Sequence, residues 1–397
     1  MTAPVVTDRR TLALLAVCQA LLLTNASSLI SMQGLVGYQI ASTKALATLG
    51  ASTYVIGSAL ATMPASLWMA RVGRRTGFMA GALVNVVGCA LAVLSLHLAN
   101  FTLFCIATAV IGIYNAIGLQ YRFAAAEVAA PADRAKAISW VLFGGVAGGV
   151  IGPTSMRFAK DALDVPFAGS FIVLALYALV ALAVQSFVRV PAPTHEERRG
   201  GGRPLAEIAR QPVFIVAVLS AALGYGLMNL LMVATPLAMD FCGFDYSSAA
   251  LVIQWHVVGM FLPGLVTGSL IKRYGVLAVI GAGIVLMLAC VAVALSGTTF
   301  AHFVAALALL GVGWNFMYTG GTTLLTEAYT PAEKARVQGA NDFAVFAVMG
   351  LSSFSSGALV SAAGWEIMNY AAIPVLAIVT AGLVWLARQR RMQTAMP

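Results

Sequence analysis

The chain has 397 residues, of which 60% are hydrophobic and only 9% are charged. Water-soluble globular domains do not have this composition, and the sequence contains no phosphate loop or nucleophile–base arrangement, so we do not expect an enzyme. The net charge of +9 does not call for a nucleic-acid partner, because basic loops that face anionic lipid account for it.

Apolar runs long enough to cross a lipid bilayer recur along the whole chain, and each crossing helix needs about 20 residues. About twelve such runs predict an all-α membrane protein with twelve transmembrane helices. All but three of the 23 Lys and Arg residues then lie on the cytoplasmic side, with both termini cytoplasmic. The approximate spans are 11–34, 46–70, 78–97, 102–122, 137–158, 168–188, 213–237, 247–270, 276–296, 301–325, 337–360 and 369–388.

In the first half of the chain, charged residues follow the second and fourth predicted helices. Residues 70–77 read ARVGRRTG and form a short basic loop that contains Arg71 and Arg74. Glu127 follows the fourth helix and could pair with these arginines. We therefore consider Arg71, Arg74 and Glu127 as candidate residues for coupling or gating.

The second half of the chain repeats the first. Residues 127–137 read EVAAPADRAKA, and residues 327–337, which follow 200 positions later, read EAYTPAEKARV. Asn115 and Asn315 keep the same separation. A parallel repeat of this kind predicts two six-helix bundles related by an axis along the membrane normal.

A stretch rich in Pro, Gly and charge separates the two repeats. It covers residues 190–212 and is predicted to be a cytoplasmic linker. The predicted domains are therefore an N-terminal six-helix bundle at 1–189 and a C-terminal six-helix bundle at 213–397.

The seventh and eighth predicted helices carry methionine and histidine at helical spacing. Met228 and Met232 form an MxxxM pair on the seventh helix, and His256 and Met260 form an HxxxM pair on the eighth. A four-residue step places both members of a pair on one helix face. Thioether sulfur and imidazole nitrogen are ligands that suit monovalent copper. These four residues are the predicted metal ligands, although methionine in a membrane helix also serves as a packing residue.

Three further residues are candidates for the substrate path or for coupling. Met32 lies 200 positions before Met232 and so takes the equivalent height in the other half. Cys242 follows the outer end of the seventh helix and could contact the substrate path. Asp342, near the start of the eleventh helix, is the best candidate for an intramembrane carboxylate that couples transport to protons, or it caps the helix.

Over nearly its whole length the chain resembles the major facilitator superfamily, with six plus six helices, a charged central loop and basic loops after the second and eighth helices. ARVGRRTG resembles that family's loop between helices two and three, except that Ala70 stands where an aspartate is usual. The resemblance implies alternating access, in which two bundles rock around a central site. It does not identify the cargo.

The MxxxM and HxxxM pairs resemble those of the CcoA-like copper importers, the CalT branch of the superfamily. This resemblance implies metal-binding roles for Met228, Met232, His256 and Met260. It further implies a bacterial inner-membrane carrier that imports copper for assembly of haem–copper oxidases. Copper is then the cargo rather than a resident cofactor, and the partners are the copper ion, the lipid bilayer and potentially a copper chaperone.

A carrier of a small organic molecule, such as riboflavin or a drug, is the alternative function. Relatives of the copper branch resemble riboflavin transporters, and several aromatic side chains could stack on a flat ring. These candidates are Trp68, Trp140, Tyr225, Trp255 and Trp314.

Overall fold

The computed structural model describes residues 7–42, 46, 49–192 and 201–395, so residues 193–200 of the predicted linker lie outside the described part. Within these ranges all regular secondary structure is helical. Eleven helical segments there are long and apolar enough to cross a membrane, and they coincide with all the predicted spans except 337–360. That remaining span lies within the helical stretch Lys334–Tyr370, before its break at Gly364, where φ is 80°, so the predicted all-α membrane fold is confirmed.

The chain separates into two contact units. The first consists of residues 1–131 and 140–200, and the second of residues 132–139 and 201–397. The helices of the first half of the chain are α1 Arg9–Ile40, α2 Leu49–Val72, α3 Arg74–His97, α4 Phe101–Gly118, α5 Tyr121–Glu127, α6 Arg134–Phe143, α7 Gly145–Ala159 and α8 Ala168–Ser186. Those of the second half are α9 Leu205–Ile208, α10 Pro212–Val218, α11 Gly224–Phe241, α12 Tyr246–Phe261, α13 Gly264–Tyr274, α14 Val276–Ser296, α15 Phe300–Leu325, α16 Lys334–Tyr370 and α17 Ala372–Ala395.

The two halves begin corresponding helices in corresponding ways. Gly73, with φ of 91°, separates α2 from α3, and Gly275, with φ of 87°, separates α13 from α14. Both glycines have a positive φ that other residues avoid, which explains why a glycine separates the two helices at each basic loop. The halves differ at the next pair of helix starts: Asn100 caps α4 by accepting a hydrogen bond from the backbone N–H of Leu103 at 2.9 Å, whereas Thr299 makes no such bond at the start of α15.

Helix packing repeats between the two units. In the first unit α1 packs on α7, α2 on α4, and α3 on both α4 and α8. In the second unit α11 packs on α16, α12 on α15, and α14 on both α15 and α17. Because each pair in one unit has its counterpart in the other, the structure reproduces the sequence repeat as a repeat of helix contacts.

Glycines allow the closest of these helix contacts. A Cβ atom at Gly148 on α7 would overlap the backbone of α1 at Ala20. Within the second unit, a Cβ at Gly311 on α15 would lie 2.6 Å from the carbonyl oxygen of His256 on α12. Small residues at such points let two helix backbones approach in a membrane, where close van der Waals packing drives association.

The last residues of the linker are anchored to the loop that precedes α16. The Arg203 guanidinium donates two hydrogen bonds of 2.8 Å to the Glu333 carboxylate, one to each oxygen. The same carboxylate accepts from the backbone N–H groups of Arg203 at 2.8 Å and Thr330 at 2.9 Å. These bonds, above all those from Arg203, hold the pKa of the Glu333 carboxyl well below its usual range.

We expect Glu333→Gln to lower the melting temperature of the purified protein by about 2–4 °C. The pKa of this carboxyl is lower in the folded state than in the unfolded state. Its contribution to the stability of the folded protein is therefore present above the unfolded pKa of about 4.3 and is lost as the pH falls. The difference in melting temperature between the variant and the wild type should therefore be constant between about pH 5 and 8 and shrink below about pH 4. Thermal unfolding in detergent measures it, with the exposed Glu366→Gln as the control. Equal melting temperatures at pH 7 would contradict this role.

Candidate functional site

An aromatic cluster lies in the second unit, where α11, α12 and α15 meet. The rings of Trp314 and Tyr318, one turn apart on α15, are stacked with centroids 5.0 Å apart. Tyr225 on α11 meets both rings edge-on at 5.4 Å, and Phe261 at the end of α12 meets Trp314 at 5.6 Å. Trp314, Tyr318 and Phe261 are buried, whereas Tyr225 is half-buried. The cluster therefore reaches the surface of the unit at Tyr225.

A polar group lies one helical turn beyond Tyr225. The Asn229 side-chain amide donates to the hydroxyls of Ser352 at 2.9 Å and Ser353 at 2.7 Å on α16. Its nitrogen also lies 3.3 Å from the carbonyl oxygen of Met349. The two serines and Met349 are half-buried, so the unit presents neutral hydrogen-bonding groups beside an aromatic face. Ligand pockets are typically built in this way, from apolar walls and a few polar groups.

A π-helical turn immediately precedes these residues. It covers Leu219–Leu223, between α10 and α11, and packs where Gly321 on α15 meets Ala217 and Ala221. A π turn inserts one extra residue and so rotates the residues that follow it relative to a continuous α-helix. Tyr225 and Asn229 owe their direction on α11 to this turn, which no motif in the sequence predicts.

The HxxxM pair lies against α15. The Nδ1 atom of His256 is 2.7 Å from the carbonyl oxygen of Leu307, and the side chain is fully buried. Because a carbonyl oxygen only accepts, Nδ1 carries the hydrogen, and Nε2 is left as an acceptor. Nε2 has no hydrogen-bond partner among the described residues. Met260 is buried, and its carbonyl oxygen accepts from Asn315 Nδ2 at 2.7 Å.

The repeat shows what stands at these positions in the first unit. Gly112 on α4 packs against Tyr54 and Ser58 of α2 as Gly311 on α15 packs against His256 and Met260. His256 thus takes the place of Tyr54. A buried imidazole is therefore particular to the second unit at this position.

The other predicted ligands lie at different degrees of burial. Met228 on α11 is buried and Met232 is half-buried. Met32 lies in the hydrophobic core of the first unit, beside Leu29 and Val36 along α1. Cys242 is exposed at the end of α11 with a free thiol. No group of three or more His, Cys, Asp or Glu close enough to hold a metal occurs among the described residues, and the predicted set, mostly methionine, stays a prediction.

The candidate charged residues differ in their burial and in the partners that they contact. Arg74, at the start of α3, is buried and donates to the Glu127 carboxylate at 2.8 Å and to the side-chain oxygen of Gln120. Arg71 is exposed. Asp342 is buried in α16, and its carboxylate accepts from Asn341 Nδ2 at 2.9 Å. The structure thus brings Arg74 and Glu127 together, while roles in gating or coupling stay predictions.

Arg122 is a residue that the sequence reasoning missed. It lies in α5, just after α4 ends, and is fully buried. Its NH1 group donates to the carbonyl oxygen of Leu119 at 2.6 Å, and the guanidinium covers the Phe123 ring at 4.4 Å. An arginine at the end of a predicted span was the available signal, since buried charges in membrane helices are costly and mark functional sites.

Comparison with known proteins identifies the family. Residues 12–262 and 219–395 match the profile of the Major Facilitator Superfamily. The chain belongs to this superfamily. Its relatives and structural neighbours in the superfamily are transporters, so the chain is a membrane transporter and not an enzyme.

The relatives that match most of the chain include two transporters. The riboflavin transporter RfnT of Brucella anthropi is 40% identical over 379 residues, which cover 95% of each chain. The MFS-type transporter YdeG of Bacillus subtilis is 30% identical over 368 residues, covering 88% of this chain and 85% of YdeG. The predicted resemblance to CcoA-like copper importers finds no support in these matches.

Solved structures of the superfamily share the fold. FucP in the outward conformation superposes with a TM-score of 0.75 at 16% identity, covering 94% of this chain and 99% of FucP. A bacterial homologue of the iron transporter ferroportin superposes with a TM-score of 0.73 at 15% identity, covering 95% and 99%. At these identities the matches establish the fold alone.

Proposed function

We propose that this transporter carries riboflavin across the membrane by alternating access. One observation carries the proposal: a riboflavin transporter is 40% identical over 95% of both chains. The matched region of 379 residues amounts to 95% of the chain. Riboflavin was the alternative to copper in the sequence interpretation, and it now becomes the first candidate.

The chemistry of the site supports a flavin. Riboflavin joins a flat three-ring system to a polyol chain and is uncharged at neutral pH. Tyr225, the half-buried member of the cluster, supplies aromatic surface for the ring system, and the buried Trp314 meets it in a geometry that aromatic pairs favour. Asn229, Ser352 and Ser353 supply an amide and hydroxyls for the polyol chain. All five side chains are neutral, which suits a neutral ligand that must leave water.

We further propose that the protein resides in a bacterial inner membrane with both termini in the cytoplasm. The excess of Lys and Arg on one side of the predicted spans supports this orientation. The central linker, in which Arg203 pairs with Glu333, then lies on the cytoplasmic side.

Uptake of radiolabelled riboflavin by cells that lack their own riboflavin transporter tests the proposal. We expect the wild type to give saturable uptake and Tyr225→Ala to raise KM about tenfold, because the stacking surface is lost. Trp255→Ala is the matched control, since Trp255 is 52% exposed and lies outside the cluster. No uptake above vector-only cells would rule out riboflavin as the cargo.

Copper remains a second candidate because of one observation. A metal-binding histidine usually donates its other ring N–H to a carboxylate, a backbone carbonyl or water, and His256 does so to Leu307 while Nε2 is left as an acceptor. Met228, Met232 and Met260 would complete a soft ligand set.

Radioactive copper offered to the same cells separates the two candidates. Copper transport predicts that His256→Ala and the double variant Met228→Ala/Met232→Ala lose copper uptake while riboflavin uptake is retained. Wild-type copper uptake by both variants, at matched protein abundance, would eliminate the copper hypothesis.

A further inference from the structure

The indole N–H of Trp314 is a buried donor without an acceptor. The side chain is 2% exposed, and Nε1 has no hydrogen-bond partner among the described residues. A Trp N–H usually finds a partner when it is buried, because leaving such a donor unpaired in an apolar environment is costly. Trp314 lies near the middle of α15, at membrane depth, where water is scarce.

The surrounding rings hold this donor in place. Tyr318 stacks on the indole at an interplanar angle of 14°, while Tyr225 and Phe261 meet it at 85° and 74°. Contacts on several sides restrict the indole to one orientation. A rigid donor beside a half-buried tyrosine has the form of a specificity element, since pre-organised groups bind a ligand at a lower entropic cost.

We propose that Trp314 Nε1 donates a hydrogen bond to a ring carbonyl of the transported flavin, and that this bond selects flavins over flat aromatic molecules without an acceptor there. The inference rests on the proposed function and adds a specificity-determining residue to it. The flavin ring system carries two carbonyl groups, and the half-buried Tyr225, whose ring centroid lies 5.4 Å from that of Trp314, marks the side of the cluster nearest to a ligand. A site built to hydrogen-bond its substrate discriminates strongly against analogues that leave its donor unpaired.

Trp314→Phe tests the inference, because it deletes the N–H and keeps an aromatic ring. We expect KM for riboflavin uptake to rise about five- to tenfold with unchanged protein abundance and maximal rate. Trp255→Phe applies the same substitution to an exposed tryptophan outside the cluster and should leave KM unchanged.

Two substrate analogues separate a hydrogen bond from packing. In 2-thioriboflavin and 4-thioriboflavin one carbonyl oxygen is replaced by sulfur, a weaker acceptor. We expect the wild type to discriminate against one analogue and Trp314→Phe to transport that analogue and riboflavin with equal KM.

The possible outcomes are distinct. Unchanged KM in Trp314→Phe, or an equal rise for riboflavin and both analogues, would overturn the inference and leave the riboflavin proposal standing. Absence of riboflavin uptake by the wild type would overturn both.

Discussion

Glu127→Gln is expected to lower the free energy of unfolding by about 1–3 kcal/mol. Arg74 is 7% exposed and its guanidinium lies 2.8 Å from the Glu127 carboxylate, which is 16% exposed. Removing the negative charge leaves a buried cation with neutral partners such as Gln120, and the cost of its desolvation is then poorly compensated. Thermal or denaturant unfolding of the purified protein measures the change.

The sequence repeat supplies a matched control for this experiment. Glu327, the counterpart of Glu127, pairs with Arg390 at 2.6 Å, but the two side chains are 46% and 37% exposed. An exposed pair contributes little, so Glu327→Gln should change stability by less than about 1 kcal/mol. Equal losses of stability in the two glutamate variants would show that burial does not set the contribution of the Arg74–Glu127 pair to stability.

A double-mutant cycle isolates the Arg74–Glu127 interaction from other effects of the substitutions. Arg74→Gln combined with Glu127→Gln removes both charges at once, and the double variant should be more stable than the sum of the single changes predicts. Additive losses would show that the two side chains act independently.

The second large effect is expected from Gly311→Ala, which should destabilise the protein by about 1–3 kcal/mol or more. The added Cβ would lie 2.6 Å from the carbonyl oxygen of His256 and 2.8 Å from the backbone nitrogen of Met260, so α12 and α15 would have to separate. Backbone atoms within a helix cannot move aside as a flexible side chain can.

Gly281→Ala is the control for this substitution. It lies in α14 of the same unit, and an added Cβ would be 3.5 Å from Leu383 Cδ2, an ordinary van der Waals distance. The higher helix propensity of alanine should leave this variant neutral or more stable by up to about 1 kcal/mol. Equal stability of the two alanine variants would contradict the close backbone contact at Gly311.

Sequence patterns located the helices but did not indicate how the helices pack on one another. Hydropathy alone located the spans, because a bilayer imposes one length and one apolar composition on every crossing helix. The spacing of His256 and Met260 correctly placed them on one side of a helix, yet the periodicity of a single helix does not indicate which neighbour that side contacts. The contact of Gly311 with α12 determines that His256 and Met260 lie against α15.

The aromatic candidates also show that a sequence pattern does not indicate which residues will meet. Trp68, Trp140 and Trp255 are 41%, 52% and 52% exposed, whereas Tyr225 and Trp314 meet in one cluster. In a membrane protein both the lipid-facing and the buried surfaces of a helix are apolar, so hydrophobicity does not distinguish them. Arg122 escaped notice for a related reason, since a charge at the end of a span is usually read as lying at the interface.

The amino-acid sequence by itself therefore determined the membrane class, the number and approximate position of the spans, and the repeat of two halves, because all of these follow from composition and spacing along one chain. The tertiary structure decided which residues meet: Arg74 with Glu127, His256 with the Leu307 carbonyl, and Tyr225 with Trp314. The position of His256 depends on the small residue Gly311 at a helix crossing, and that of Tyr225 on a π turn. The effect of either feature on neighbouring side chains appears only when the helices pack together.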